Sequence, residues 1–540
     1  MATLHAVPTV RNSAARLAVT LALAAAVAVA TLSAQQPAPA AAADVPPGLD
    51  AYVERTLREL EVPGASIAIV KDGHVVLARG YGVRELGRPE RVDENTLFQI
   101  ASNTKAMTAG AIAILVSEGK LRWDDRVVDL LPWFRLGGDP YVTYEMTVRD
   151  LLTHRSGLGL GAGDLLWLHS TLGREEIVRR LKAIAPTASF RSRYAYDNVL
   201  FIAAGELVGA AAGGERWDDF VRRRIFEPLG MAATQTSVTR FRPGDNVAAP
   251  HGRVGGRMRV VPLDTVDNLG GGGAVNSSAA DMAKWVRLQL DSGRLDGARR
   301  LWRPAETRQM WAAHVPQNIG EPAPPLPAVA RPNFAAYALG WSVRDYRGRK
   351  LVTHSGGLSG MLSRVMLAPD ERLGVVVLTN GEAPAYEALT YWILDHYLGA
   401  PAPRPDWTAA QAAVAARVRS TDAAYEDSIA RARNRAAGPS LPLARYAGRY
   451  ADPWYGDVTL AEEQGHLVLR WSHSPALTAD LEHWQYDTFR ARMRVGSVPD
   501  AFVTFALDAR GAVDRMTMVP VLPSTDFSFN YQDLELRPVR

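Results

Sequence analysis

The sequence predicts an α+β fold, or a related α/β one: an antiparallel sheet flanked by helices with an inserted all-helical lobe, followed by a small all-β barrel. Three observations carry this. β-prone runs lie at both ends of residues 44–400, at 65–70 and 75–78 early and between 339 and 379 late. A helix-rich stretch from 103 to about 232 separates them, so strands from both ends can share one sheet with the helices as a second lobe. Beyond residue 440 the pattern turns to short alternating runs, with Leu467, Leu469 and Trp471 interleaved with His466, Val468 and Arg470.

At 540 residues the chain exceeds what one hydrophobic core usually organises. Its composition, 47% apolar and 22% charged, is that of an ordinary soluble globular protein. Arg11 and Arg16 precede a 16-residue apolar run at 17–32, and small residues follow at 33–34 and 40–43. We read residues 1–43 as a secretory signal peptide and lead-in. The run is short and rich in alanine, weak for a spanning helix, so the expectation is a periplasmic or secreted protein with no stable membrane span. The chain has no cysteine, which excludes disulfides, cysteine nucleophiles, a lipid-modified cysteine and thiolate metal sites. A formal charge of +4, without a long basic run or internal repeat, leaves no nucleic-acid footprint.

Taken in order, residues 49–60 have helical spacing, and the runs at 65–70 and 75–78 flank Lys71-Asp72-Gly73-His74, a hairpin signal. Loops at 154–158 and 161–163 break the helical stretch, and His154 reads as a structural side chain tying its turn to the backbone. The glycines at 270–273 read as a tight loop near the cleft, because no Lys-Ser or Lys-Thr follows to make a phosphate cradle. A helix is expected at 279–290, and the proline-rich segment 316–332 is expected as a surface excursion. Strands follow at 339–344, 350–353, 362–367 and 374–379, then a helix at 386–397. Residues 401–440, rich in Ala and Arg, form a helical linker with few core residues, stopped by Gly438-Pro439. In the final domain, 441–540, the runs 502–507 and 513–518 flank Asp508-Ala509-Arg510-Gly511 as a hairpin. An alternating strand accounts for His483, Trp484 and Tyr486 as well as a role at the cleft does.

Three short motifs in sequence order carry the chemistry: Ser102-Asn103-Thr104-Lys105, Tyr196-Asp197-Asn198 and His354-Ser355-Gly356. An acyl-transfer serine loses its proton as it attacks a carbonyl and needs a base beside it. If a helix begins at Ser102, Lys105 lies one turn along on the same face, and Ile112, Leu115 and Val116 fix that helix in the core. Such a lysine accepts a proton only if burial or neighbouring charge lowers its pKa. Tyr196 shares that task as phenolate or relays the proton to the leaving group. Asn198 is expected to hydrogen-bond Lys105 and the substrate amide. His354 is expected on a strand edge, contacting substrate or Tyr196 and helping to place the proton. The backbone N–H groups of Ser102 and Gly357 would form the oxyanion hole, with Gly356 and Gly357 letting substrate approach the strand. None of this calls for a metal or cofactor.

The trio, together with Pro63-Gly64, Phe98-Gln99-Ile100-Ala101, Leu151-Leu152-Thr153-His154-Arg155-Ser156-Gly157-Leu158 and Phe226-Glu227-Pro228-Leu229-Gly230-Met231, resembles the β-lactamase-related serine hydrolases. That group includes class C β-lactamases, D-alanyl-D-alanine carboxypeptidases, D-aminopeptidases and esterases, and the resemblance covers roughly residues 49 to 400. It implies Ser102 as nucleophile, Lys105 and Tyr196 as the base pair and Asn198 as positioner. Residues 481–489 resemble a lipocalin-like β domain often appended to such hydrolases. One departure carries information: antibiotic-hydrolysing members usually have lysine where this chain has His354, and losing that fixed charge weakens recognition of a carboxylate. The leading expectation is therefore a serine hydrolase acting on a small-molecule or peptide substrate, a peptide, D-amino-acid amide or ester. The alternatives are carboxypeptidase or β-lactamase activity, and a catalytically retired binding module. Oligomeric state is not set by the sequence.

Overall fold

A computed structural model describes residues 45–539 apart from Ala323. The signal peptide expected over residues 1–43 lies outside the described residues.

The chain opens with α1 (Leu49–Glu59), then β1 (Gly64–Lys71) and β2 (His74–Gly82). Asp72 and Gly73 both have positive φ, +53° and +82°, and connect the two strands directly. Two such residues in succession make the short turn whose twist matches a hairpin. Next come α2 (Thr104–Ser117), α3 (Val199–Ala211) and α4 (Ala279–Leu290). Then follow β3 (Val315–Pro316), β4 (Ala335–Tyr337), β5 (Ser342–Tyr346), β6 (Arg349–Leu358), β7 (Met361–Ala368) and β8 (Leu373–Thr379). These eight strands make one sheet in the order β2-β1-β8-β7-β6-β5-β4-β3, antiparallel at every pairing. Of the two classes expected, α+β is therefore the right one.

The sheet's residues alternate between two cores, as a pleated strand requires. Ala65, Ile67, Ile69, Val375 and Val377 join a core with α1, α5 (Ala385–Tyr397) and Trp407. Ala68, Val70, Val376 and Leu378 join the larger core with α2 and α4 on the opposite face. α2 differs from its expected single apolar stripe, because Thr104 through Val116 are all buried. A helix enclosed on every side holds its first turn in a fixed place. The sequence reading missed β3 and β4, which flank the 316–332 segment and extend the sheet. Strands of two and three residues are too short to display a period of two.

A long helix, α6 (Trp407–Ala432), buries only Trp407, Thr408, Ala410 and Gln411. It leads to β9 (Gly448–Asp452), β10 (Gly456–Glu463), β11 (His466–Trp471), β12 (Ala479–Gln485), β13 (Thr488–Met493), β14 (Ala501–Leu507), β15 (Val513–Pro520) and β16 (Arg537–Pro538). These form a second antiparallel sheet in the order β15-β14-β13-β12-β11-β10-β9-β16. Leu536 bridges Met516 and brings the last strand back to β15, so the barrel nearly closes. Val468 is buried alongside Leu467 and Leu469, which departs from the strict alternation expected for that strand. Among the described residues no helix is long and apolar enough to cross a membrane.

Candidate active site

The short strand Phe98–Gln99 runs into a 3-10 turn over Ala101–Asn103, and α2 begins at Thr104. Ala101 has φ +46°, a left-handed conformation that costs a residue with a Cβ about 1–2 kcal/mol. The turn is gripped from the sheet side. Ser363 donates to the Ile100 carbonyl at 2.9 Å and accepts from the Asn103 amide at 2.8 Å. A Cβ on Gly356 would stand 2.0 Å from that same Ile100 carbonyl oxygen. The turn pressing against β6 thus requires glycine at 356, a reason separate from the substrate approach expected of it. Gly357 meets only the Leu362 side chain, at 3.2 Å, and is exposed.

Lys105 is fully buried, and its Nζ lies 2.9 Å from Ser102 Oγ, 2.7 Å from Asn198 Oδ1 and 2.7 Å from the Gly272 carbonyl oxygen. The last two partners can only accept. A neutral amine therefore keeps its two N–H bonds on Asn198 and Gly272 and turns its lone pair to the Ser102 hydroxyl. Burial lowers the lysine from its ordinary value to about 7, with the Asp164 and Asp197 carboxyls pulling the other way.

Asp164, which the sequence reading missed, is equally buried. Its Oδ1 accepts from Trp167 Nε1 at 2.7 Å, and its Oδ2 accepts from Asn198 Nδ2 and from Ser528 Oγ, each at 2.8 Å. Burial raises this carboxyl to about 7, and the three donors pull it back. The Asn198 carboxamide consequently bridges Lys105 and Asp164. The contact with Lys105 is the expected one, and the contact with Asp164 was not foreseen.

Tyr196 sits over this pair, its ring centroid 4.9 Å from Lys105 Nζ and 4.2 Å from the His154 ring. Desolvation pushes its phenol well above the ordinary value of 10, with a hydrogen bond to Ser102 acting in the opposite sense. The resting group is a hydroxyl, so of the two expected forms the phenolate drops out. His154 takes the Asp197 backbone N–H on Nδ1 at 3.0 Å, and burial holds the ring neutral.

His354 Nδ1 lies 2.6 Å from the Ser355 carbonyl oxygen, which only accepts, so Nδ1 carries the proton. Nε2 then accepts from the Tyr337 hydroxyl at 2.9 Å. Burial, with the Lys105 charge adding to it, lowers this histidine to about 3. His354 is a neutral ring with both nitrogens occupied, so in this arrangement neither nitrogen is free for the expected role of placing the proton. Tyr337 belongs to β4, one of the two strands the sequence did not reveal.

Ser102, Tyr196, Asn198, His354, Gly356 and Gly357 line one cavity of about 530 Å³. Beyond Thr353 the edge of β6 has no β5 partner, so Gly357 stands on an open edge beside the Ser102 turn. Asp526, Phe527 and Ser528, from the barrel, line the same cavity. Nothing local in the sequence marks Ser528. Asp164 carries a faint signal, an acidic residue directly ahead of the apolar Leu165-Leu166-Trp167.

Residues 49–400 match the beta-lactamase family, and the chain belongs to that family. Residues 432–538 match a domain of unknown function, DUF3471. The chain is similar to unguisins hydrolase ungD of Aspergillus violaceofuscus, 29% identical over 499 residues that cover 86% of each protein. It is also similar to penicillin-binding protein 4 of Amycolatopsis lactamdurans, 30% identical over 338 residues covering 60% of this chain and 82% of that one. Its fold resembles that of an octameric penicillin-binding protein homologue from Pyrococcus abyssi, with a TM-score of 0.56 and 21% identity over 90% of this chain and 98% of that chain. The family and these relatives make the protein a hydrolase in general terms.

Proposed function

We propose that the protein is a serine hydrolase that forms an acyl-enzyme on Ser102 and releases it to water, acting on a peptide, a D-amino-acid amide or an ester. The observation that carries this is the desolvated Lys105 amine held 2.9 Å from Ser102 Oγ with only acceptors on its other side. In the first half-reaction the Ser102 proton passes to the Lys105 lone pair as Oγ bonds the carbonyl carbon. The carbonyl electron pair moves onto the oxygen, which the Ser102 and Gly357 N–H groups stabilise. Collapse expels the leaving group, protonated from Lys105 through the Tyr196 hydroxyl. Water then repeats the attack with the same base. A hydrolase among the relatives supports the class, and the neutral His354 offers no fixed positive charge to a β-lactam carboxylate, which ranks amides and esters ahead of β-lactams.

The test is release of p-nitrophenol from a short-chain p-nitrophenyl ester, with Ser102→Ala prepared identically. Turnover that vanishes in the variant is the expected result; equal rates in both would refute the proposal. Penicillin acylation at high concentration ranks the β-lactam alternative. The same reading takes residues 1–43 as a leader and the mature enzyme as periplasmic or secreted, checked by N-terminal sequencing of exported protein.

A further inference from the structure

The loop between β15 and β16 enters the cavity from the barrel. Asp526 Oδ1 accepts the Ser528 backbone N–H at 2.9 Å and shapes the loop's tip. Phe527 packs edge-on to Tyr196, ring centroids 5.8 Å apart. It presses on Gly161, where a Cβ would stand 2.8 Å from both the Phe527 ring and its carbonyl oxygen. Ser528 is buried and donates to Asp164 Oδ2 at 2.8 Å. The barrel is seated beside this point: Thr171 N–H donates to the His473 carbonyl at 2.8 Å, and the Arg180 guanidinium reaches the Trp454 and Tyr455 carbonyls.

Asp164 has no cation within salt-bridge distance among the described residues, so three neutral donors hold it. Trp167 is three residues along the chain, Asn198 is its link to Lys105, and Ser528 alone comes from the barrel domain. We propose that Ser528, delivered by the barrel, is a positioning residue for Lys105, acting through Asp164 and Asn198. The inference rests on the reading of Ser102 and Lys105 as nucleophile and base.

The sign of its action follows from the groups around it. Lys105 faces Asp164, Asp197, His154, His354 and the Tyr196 hydroxyl; Asp164 in turn faces Lys105, Asp197 and Tyr196, and Asp526 acts on Tyr196. A donor to Asp164 favours the ionised carboxylate, whose charge supports the Lys105 ammonium. Removing the Ser528 hydroxyl protonates Asp164 more readily, withdraws that support and makes Lys105 give up its proton at lower pH. Mere loosening of the loop does the opposite, because admitted water relieves the burial that lowers the lysine.

The chain has six lysines, so ¹³C labelling at the lysine ε-carbon gives a spectrum in which Lys105 is assigned by its loss in Lys105→Arg. Titration of the whole protein is expected to put the Lys105 midpoint lower by about half a pH unit in Ser528→Ala, and unchanged in Ser528→Thr, which keeps the donor. Ser528→Cys, of similar size and a weaker donor, should shift in the same direction by less, and it stands in if the alanine variant does not fold. This readout needs no turnover, so it is separate from the ester assay on Ser102→Ala. A midpoint that stays in place or rises in both Ser528→Ala and Ser528→Cys overturns the proposal.

Discussion

Two buried nitrogen bases stand at the Ser102 site, and only one of them is poised near neutral pH. On one side, Lys105 keeps company with acceptors, Asn198 Oδ1 and the Gly272 carbonyl, and with two carboxyls beyond them. On the other, His354 receives a donor, the Tyr337 hydroxyl, on the nitrogen that would otherwise take a proton. Both are desolvated and fall by a similar amount, the lysine from 10.5 to about 7 and the histidine from 6.5 to about 3. Burial alone does not select a catalytic base. Equal shifts leave the side chain with the higher ordinary value poised near neutral pH, and the acceptors around Lys105 then aim its lone pair at Ser102.

The largest expected effect is on the lysine side. Lys105→Met should lower kcat/KM by about 10³- to 10⁴-fold in the ester assay, the scale of a lost general base. Tyr196→Phe, which keeps the ring and removes the relay hydroxyl, should cost about 10²-fold, chiefly in kcat. The comparison is sharpest in the pH profile. The neutral amine is the active form and its midpoint is lowered to about 7, so kcat/KM should rise through pH 7 and fall away below it. His354→Gln should reduce the rate by no more than about tenfold, the scale of one or two hydrogen bonds, and leave that limb in place. A limb that moves with His354 would break the contrast. The smallest expected effect on turnover belongs to the neighbouring glycine pair, read through stability. Gly356→Ala should lose about 1–3 kcal/mol or more in chemical denaturation as its Cβ meets the Ile100 carbonyl, while Gly357→Ala stays within about 1 kcal/mol.

Local chemistry was legible in the sequence where a short period or a fixed offset expresses it. Ser102 and Lys105 are one turn apart, and Asp72-Gly73 turns its hairpin. The alternating halves of β1 and β8 also read directly from their residues. Groups brought together across the fold left no such mark. Asp164 opens a 3-10 turn in the helical part and Ser528 sits in a barrel loop, and Tyr337 sits on a three-residue strand beyond a proline-rich segment. The states of Tyr196 and His354 were not legible for a related reason. A motif names the side chain, whereas its protonation is set by desolvation and by partners that arrive from elsewhere.

The pairing of β1 with β8 has a consequence for how the molecule forms. Ala65 lies opposite Thr379. During synthesis the first hairpin therefore waits through residues 83–372 with one long edge unpaired and apolar side chains on both faces. A two-stranded hairpin is marginal in water, and an open apolar edge invites pairing with another chain. Closure of the central sheet is a long-range event, which makes it slow. Nascent or truncated chains ending before residue 379 are accordingly the species most prone to aggregate, and they need a holding chaperone most.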